Sequence, residues 1–203
     1  MRARPRRAVT SDPLDALLHL VAILEDLGLS YAIGGSVASS VHGEPRTSAD
    51  ADVIVSLSEE RLTALLARLA GEYYVSAEAA AEALREHASF NVIHLRSMYK
   101  VDIFVAGPSA LDRNQLRRRV SVQLQRDPPA RAFVTAAEDI VLRKLDWYRR
   151  SAGASDRQWR DVLGVLKLRA GTLDLAYLHE AAAEAGLGRL LETALAQAGL
   201  AGQ

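Results

Sequence analysis

The sequence predicts a mixed α/β (α+β) fold, with a mixed sheet flanked by helices and a helical bundle at its C-terminal end. Three observations predict it. Short β-branched runs recur as far as residue 125, capped amphipathic segments separate them, and beyond residue 133 only helical periodicity remains. Composition agrees: 203 residues at 49% hydrophobic content, with 25 Lys and Arg against 25 Asp and Glu, supply a sizeable core. That balance implies neither a disordered chain nor a strongly basic nucleic-acid binder. The absence of cysteine excludes disulfides and thiolate metal sites and suits a reducing compartment. The opening MRARPRR resembles the basic start of a signal peptide. The next apolar run, Ala16 to Leu24, is nine residues and includes His19, so it reads as an amphipathic helix and a cytoplasmic location is expected.

Asp12-Pro13 supplies an N-cap and a proline at the first helical position, and Gly28 a stop, so the first helix is expected over 13–27. Tyr31 to Gly34 reads as a short strand entering a turn, Val37 to Val41 as a brief helix, and Ala51 to Ser56 as the second strand. Ser58 opens a helix ending near Gly71, and Tyr73 to Val75 is a weak strand. Ser76 caps an Ala/Glu-rich helix running to about His87. Phe90 to Leu95 and Val101 to Val105 form a strand pair joined by a connector at 96–100. A helix at Ala110 to Arg118 and a strand at Val120 to Gln125 follow. Thr135 to Glu138 and Ser155 to Gln158 read as capping boxes opening helices over about 136–150 and 157–169, with two more helices near 174–185 and 187–198. The expected division is an α/β domain with its N-terminal helix at 1–132 and a helical domain at 133–203.

Within this frame the stretch GGSVASSVHGEPRTSADADVIV carries the chemistry. Alternate side chains of a strand share a face, so Asp50 and Asp52 point one way and Ala51, Val53 and Val55 the other. Asp102 has the same relation to Val101, Ile103 and Val105 on a later strand. Three carboxylates converging from neighbouring strands repel unless a cation lies between them, and oxygen-only ligands select Mg2+ or Mn2+. Ahead of them, Gly34 and Gly35 permit a tight strand-to-helix turn. Its free N–H groups and the Ser36 hydroxyl can hold a triphosphate at a helix N-terminus. The plain alternative keeps Asp50 as a cap at the start of the strand and Asp52 and Asp102 as solvated acids.

Gly35-Ser36, thirteen residues, then Asp50-Ala-Asp52 and the later strand acid Asp102 resemble the signature of the nucleotidyltransferase superfamily. Within it, GGSVASSVHG, RTSADADV, EDIVLRKLDWYR and RQWRDVLGVL resemble the AbiEii-type toxins of type IV toxin–antitoxin pairs, over about residues 30–170. The resemblance implies a nucleotidyltransferase-like sheet, an NTP substrate such as ATP or CTP, Mg2+, transfer of nucleotide onto RNA at tRNA 3′ ends, and an antitoxin protein as partner.

The helix from 136 places Ala137, Ile140, Val141, Leu145 and Tyr148 on one arc with Lys144 in its middle, while Arg143 and Asp146 point away. An inward ammonium needs an anion or must reach out along its aliphatic stem. The resemblance implies a triphosphate ligand for Lys144 and a site role for Asp161, whose plain alternative is pairing with Arg160, Arg157 or Lys144. Arg46 is a candidate for phosphate, or a partner of Glu44. Ser48 lies two before Asp50, where related toxins carry a hydroxyl. The histidines show no metal spacing, and Arg113, Arg117, Arg118, Arg119, Arg126 and Arg131, with Arg2, Arg4, Arg6 and Arg7, are locally dense. Such runs are ordinary solvated surface or the positive face an RNA acceptor requires. The expected function is Mg2+-dependent transfer of NMP from NTP to an acceptor hydroxyl. Asp50, Asp52 and Asp102 serve as metal ligands and catalytic acids, with Lys144 and Asp161. Gly34, Gly35, Ser36, Arg46, Ser48 and Lys144 meet the nucleotide. The alternatives are modification of a small molecule or a protein, and a catalytically silent nucleotide-binding module.

Overall fold

The computed structural model describes residues 12–201; the expected basic run at Arg2 to Arg7 lies outside them. Their chain order is α1 (Pro13–Asp26), β1 (Tyr31–Ile33), α2 (Gly35–His42), β2 (Asp50–Val55), α3 (Glu59–Leu69), β3 (Tyr73–Tyr74), α4 (Ala77–Glu86), β4 (Ser89–His94) and β5 (Lys100–Val105). There follow α5 (Ala110–Arg117), β6 (Val120–Arg126), β7 (Pro129–Val134), α6 (Ala137–Arg150), α7 (Asp156–Arg169), α8 (Leu175–Glu184) and α9 (Gly188–Ala198). The strands form one seven-stranded mixed sheet in the order β3-β4-β5-β2-β1-β7-β6. β2 runs parallel to β5 and antiparallel to β1, and β1 runs parallel to β7. The expected mixed sheet flanked by helices is therefore present.

The alternation read in β2 and β5 sets the two faces of the sheet. Ala51, Val53, Val55, Val101 and Ile103 are essentially buried, while Asp50, Asp52 and Asp102 on the opposite face keep partial exposure. Helices supply the rest of the core. α1 contacts α3 and β7, α3 contacts α4, and α4 contacts β4 and β5. α2 and α5 contact β2, and both contact α6, against which α7, α8 and α9 pack. Buried Leu142, Leu145, Leu166, Leu178 and Leu191 belong to the same hydrophobic cluster as the sheet's valines.

Several local expectations need correction. β7 was not expected, because Pro128-Pro129 and two alanines depress strand propensity. Yet Ala132 and Val134 are buried in alternation, and Val134 pairs with Ile33 in the sheet's interior. α2 starts at Gly35, two residues before the expected Val37. Thr135 to Glu138 is not a capping box: Ala136 is the N-cap and makes no side-chain cap bond. Thr135 is buried with Oγ1 unpartnered, and Glu138 instead accepts from the Asp174 N–H and pairs with Arg118. Ser155 does cap α7, accepting from the Gln158 N–H, but the Gln158 side chain turns to Lys144.

Candidate active site

A cleft of about 590 Å3 opens along the face carrying Asp50 and Asp52. Gly34, Gly35 and Ser36 line it from the start of α2, Arg46 and Ser48 from the loop before β2, and Lys144 and Trp147 from α6. Every residue expected at the nucleotide thus lines this cleft. Asp102 and Asp161 do not line it: Asp161 pairs with the lining Lys144, and Asp102 shares Lys100 with the lining Asp50.

The turn into α2 and the acids are built against each other. The Gly34 N–H donates to the Asp52 backbone carbonyl at 2.8 Å, and Gly35 adopts φ +52°. A Cβ on Gly35 would stand 1.5 Å from Asp52 Oδ2. Only glycine admits both the left-handed backbone and this approach. The Ser36 hydroxyl is buried with no hydrogen-bond partner among the described residues, at the first turn of a helix whose free N–H groups favour an anion.

Asp52 lies directly opposite Asp102 in the parallel register. Burial, then the charges of Asp102 and Asp50, push its carboxyl up to about 6, and Lys144 and Lys100 offset this only in part. Asp50 accepts from the Ser48 hydroxyl at 3.1 Å. Lys100, which the sequence reading left in the connector, opens β5. Its Nζ donates to Asp102 Oδ2 at 2.8 Å and stands 3.6 Å from Asp50 Oδ2.

Lys144 is 4% exposed, as its place on the apolar arc implied. Its Nζ is 2.7 Å from Asp161 Oδ2 and donates to Gln158 Oε1 at 2.9 Å. Burial lowers its pKa, with Asp161 opposing. Arg46 does not pair with Glu44; it grips Asp161 in a bidentate bond, Nε to Oδ1 at 3.2 Å and Nη2 to Oδ2 at 3.0 Å. Burial pushes Asp161 up, but the hydrogen bonds from Arg46 and Lys144 outweigh it and hold the carboxyl below its ordinary range. Asp161 thus pairs with two cations at the cleft.

Asp146 was expected to point outward; it is instead buried and pairs with Arg143, Arg149 and Arg150. Sequence reasoning also missed Gln158, and Trp147, which is 44% exposed and meets Phe104 edge-on. The dense arginines after residue 112 are largely committed within the fold. Arg118 pairs with Glu138 and Asp139 and covers the Tyr177 ring, Arg119 donates to Ser30 and covers Phe133, and Arg131 holds Ser121.

The donor set around β2 and β5 suits a hard divalent cation. It offers carboxylate oxygens alone, and Asp52 is raised first by its burial and then by the charges of Asp102 and Asp50. The fit is for a small site. Lys100 already fills the gap between Asp50 and Asp102, and the described residues contain no group of three or more His, Cys, Asp or Glu arranged to hold a metal ion.

The sheet order, the Gly-Ser turn into a helix and the paired strand acids define a nucleotidyltransferase-like fold. Among solved structures the chain is similar to an antigenic nucleotidyltransferase-like protein from Paracoccidioides brasiliensis, at TM-score 0.57 and 16% identity over 93% of this chain and 92% of that one. It is similar also to the antibiotic-resistance factor ANT(2″)-Ia, at TM-score 0.55 and 13% identity over 88% and 94%. No protein-family profile matches the chain, and no curated protein matches it in sequence. Among the described residues no helix is long and apolar enough to cross a membrane.

Proposed function

We propose that the chain is a nucleotidyltransferase that moves NMP from an NTP to an acceptor hydroxyl with Mg2+ or Mn2+, and that the acceptor is RNA. The observation that carries the reading is the contact of Gly35 with Asp52, which puts a phosphate cradle and a strand carboxylate in one wall. The acceptor oxygen forms a bond to the α-phosphorus, the bond to the β-phosphate oxygen breaks, and pyrophosphate leaves. Asp50 and Asp52 would hold the divalent ion, which when bound neutralises charge on the phosphates. Ser36 and the N–H groups of α2 orient the phosphate chain, and Asp102 assists the acceptor hydroxyl. Lys144, held by Asp161 and Gln158, offsets charge developing on the leaving pyrophosphate.

The choice of RNA rests on the cleft's rim and on the toxin-like sequence words. Arg150 and Arg157 line the cleft and are exposed, and the exposed Trp147, with Arg150 over its ring, lines it as well. Such a rim suits a polyanion whose bases can stack. The toxin-like reading includes a protein antitoxin as partner. The antibiotic-resistance neighbour favours a second reading, transfer to a small molecule. Incubation with total RNA, Mg2+ and each α-labelled NTP separates them. Label on RNA 3′ ends supports the proposal, whereas NTP turnover that leaves RNA unlabelled and marks a small hydroxylated acceptor supports the second.

A further inference from the structure

Among the described residues, Lys100 is the one cation placed between the strand acids themselves. The register sets it beside Asp50, two residues before Asp102, so the alternation of β5 turns its side chain to the acids' face. Its ammonium donates to Asp102 at 2.8 Å and stands 3.6 Å from Asp50, bridging the two. Asp52 makes no ion pair among the described residues, so its gaps to Asp50 and to Asp102 both lack an internal cation, and of these acids Asp50 and Asp52 are the two that line the cleft.

Charge balance then has a definite solution. Three carboxylates are neutralised by one ammonium and one divalent ion, without a second metal. Sites that use two divalent ions hold them about 3.5–4 Å apart between shared carboxylates, and an ammonium is a compact point charge able to occupy one such position. We propose that Lys100 stands where a second divalent ion would bind, so that the cleft loads one divalent cation per nucleotide, at Asp50 and Asp52. The proposal rests on the metal-dependent reading above and goes beyond it by fixing the number of ions and the residue that sets it.

The test is the ratio of Mn2+ to nucleotide retained with the protein by ultrafiltration, using a non-hydrolysable NTP analogue at saturation. Wild type is expected to retain one Mn2+ per nucleotide, Lys100→Arg one, and Lys100→Met two, with circular dichroism confirming that the variants fold. A ratio of two in wild type overturns the proposal even if Lys100→Met does not fold. An unchanged ratio of one in folded Lys100→Met also overturns it, since Lys100 would then not set the count. Nucleotide retained without Mn2+ in wild type would remove the metal reading beneath it, a result distinct from either of the others.

Discussion

Lys144 on α6 and Asp161 on α7 stand 2.7 Å apart, and Asp161 is shared with Arg46 from the loop before β2. One carboxylate thus holds two cations at the cleft from two distant segments. A buried pair broken on one side leaves an uncompensated charge, but here either cation can go and the other remains.

Lys144→Met should therefore fold, losing no more than about 2 kcal/mol, because Arg46 still satisfies Asp161 and the methionine keeps the stem's apolar contacts. Its NTP-induced rise in melting temperature should disappear. The double change of Arg46 and Lys144 to Met should cost about 3–5 kcal/mol. Melting curves with and without Mg–NTP check both; an unchanged NTP shift in Lys144→Met would remove the lysine from the nucleotide site.

Asp52→Asn should lower transfer activity by several orders of magnitude while leaving the metal-free protein as stable or more so. The folded Asp52 carboxyl titrates at about 6, above its ordinary value of 3.8. Below about pH 3 it is protonated in both folded and unfolded chains and costs nothing. As pH rises towards 6 the unfolded chain ionises first, so wild type loses stability across that window, by roughly 1–2 kcal/mol after solvent screening. Asp52→Asn lacks this loss. Denaturant midpoints between pH 4 and 7 in EDTA read the difference, and parallel curves for the two proteins would contradict it.

Gly35→Ala should be far more damaging than its size suggests. The new Cβ meets Asp52 Oδ2, and alanine at φ +52° carries its own cost of about 1 kcal/mol. Activity should fall at least about 100-fold through displacement of Asp52. At Gly34 the nearest atom to an added Cβ is 3.7 Å away, so Gly34→Ala should lose much less. Equal activity in the two variants would separate the glycine turn from the acid.

The parts of this site that were legible in the sequence are those governed by strand alternation and helical periodicity. Asp50, Asp52 and Asp102 share a face because a strand repeats every two residues, and Lys144 is buried because it sits inside an apolar arc. The same rule could have found Lys100, two before Asp102, had β5 been started one residue earlier. What was not legible depended on long-range pairing. Arg46 finds Asp161 rather than Glu44 only because the loop before β2 reaches α7. β7 forms despite its prolines because β1 needs a partner in the middle of the sheet, and Asp146 is buried by three arginines that make its charge tolerable there. The arginines after residue 112 looked like a surface charge run because a sequence does not show which partners they will find.

The most direct measurement is calorimetry of NTP binding to wild type and to the Asp50→Asn, Asp52→Asn double variant, each in Mg2+ and in EDTA. If the cleft is a metal-assisted nucleotide site, wild type binds NTP tightly only in Mg2+, because its carboxylates otherwise repel the triphosphate. The double variant, lacking both charges, then binds with the same modest affinity in either buffer. Equal affinity of wild type in Mg2+ and EDTA would contradict the assignment of Asp50 and Asp52 as the ligands that bring metal and nucleotide together.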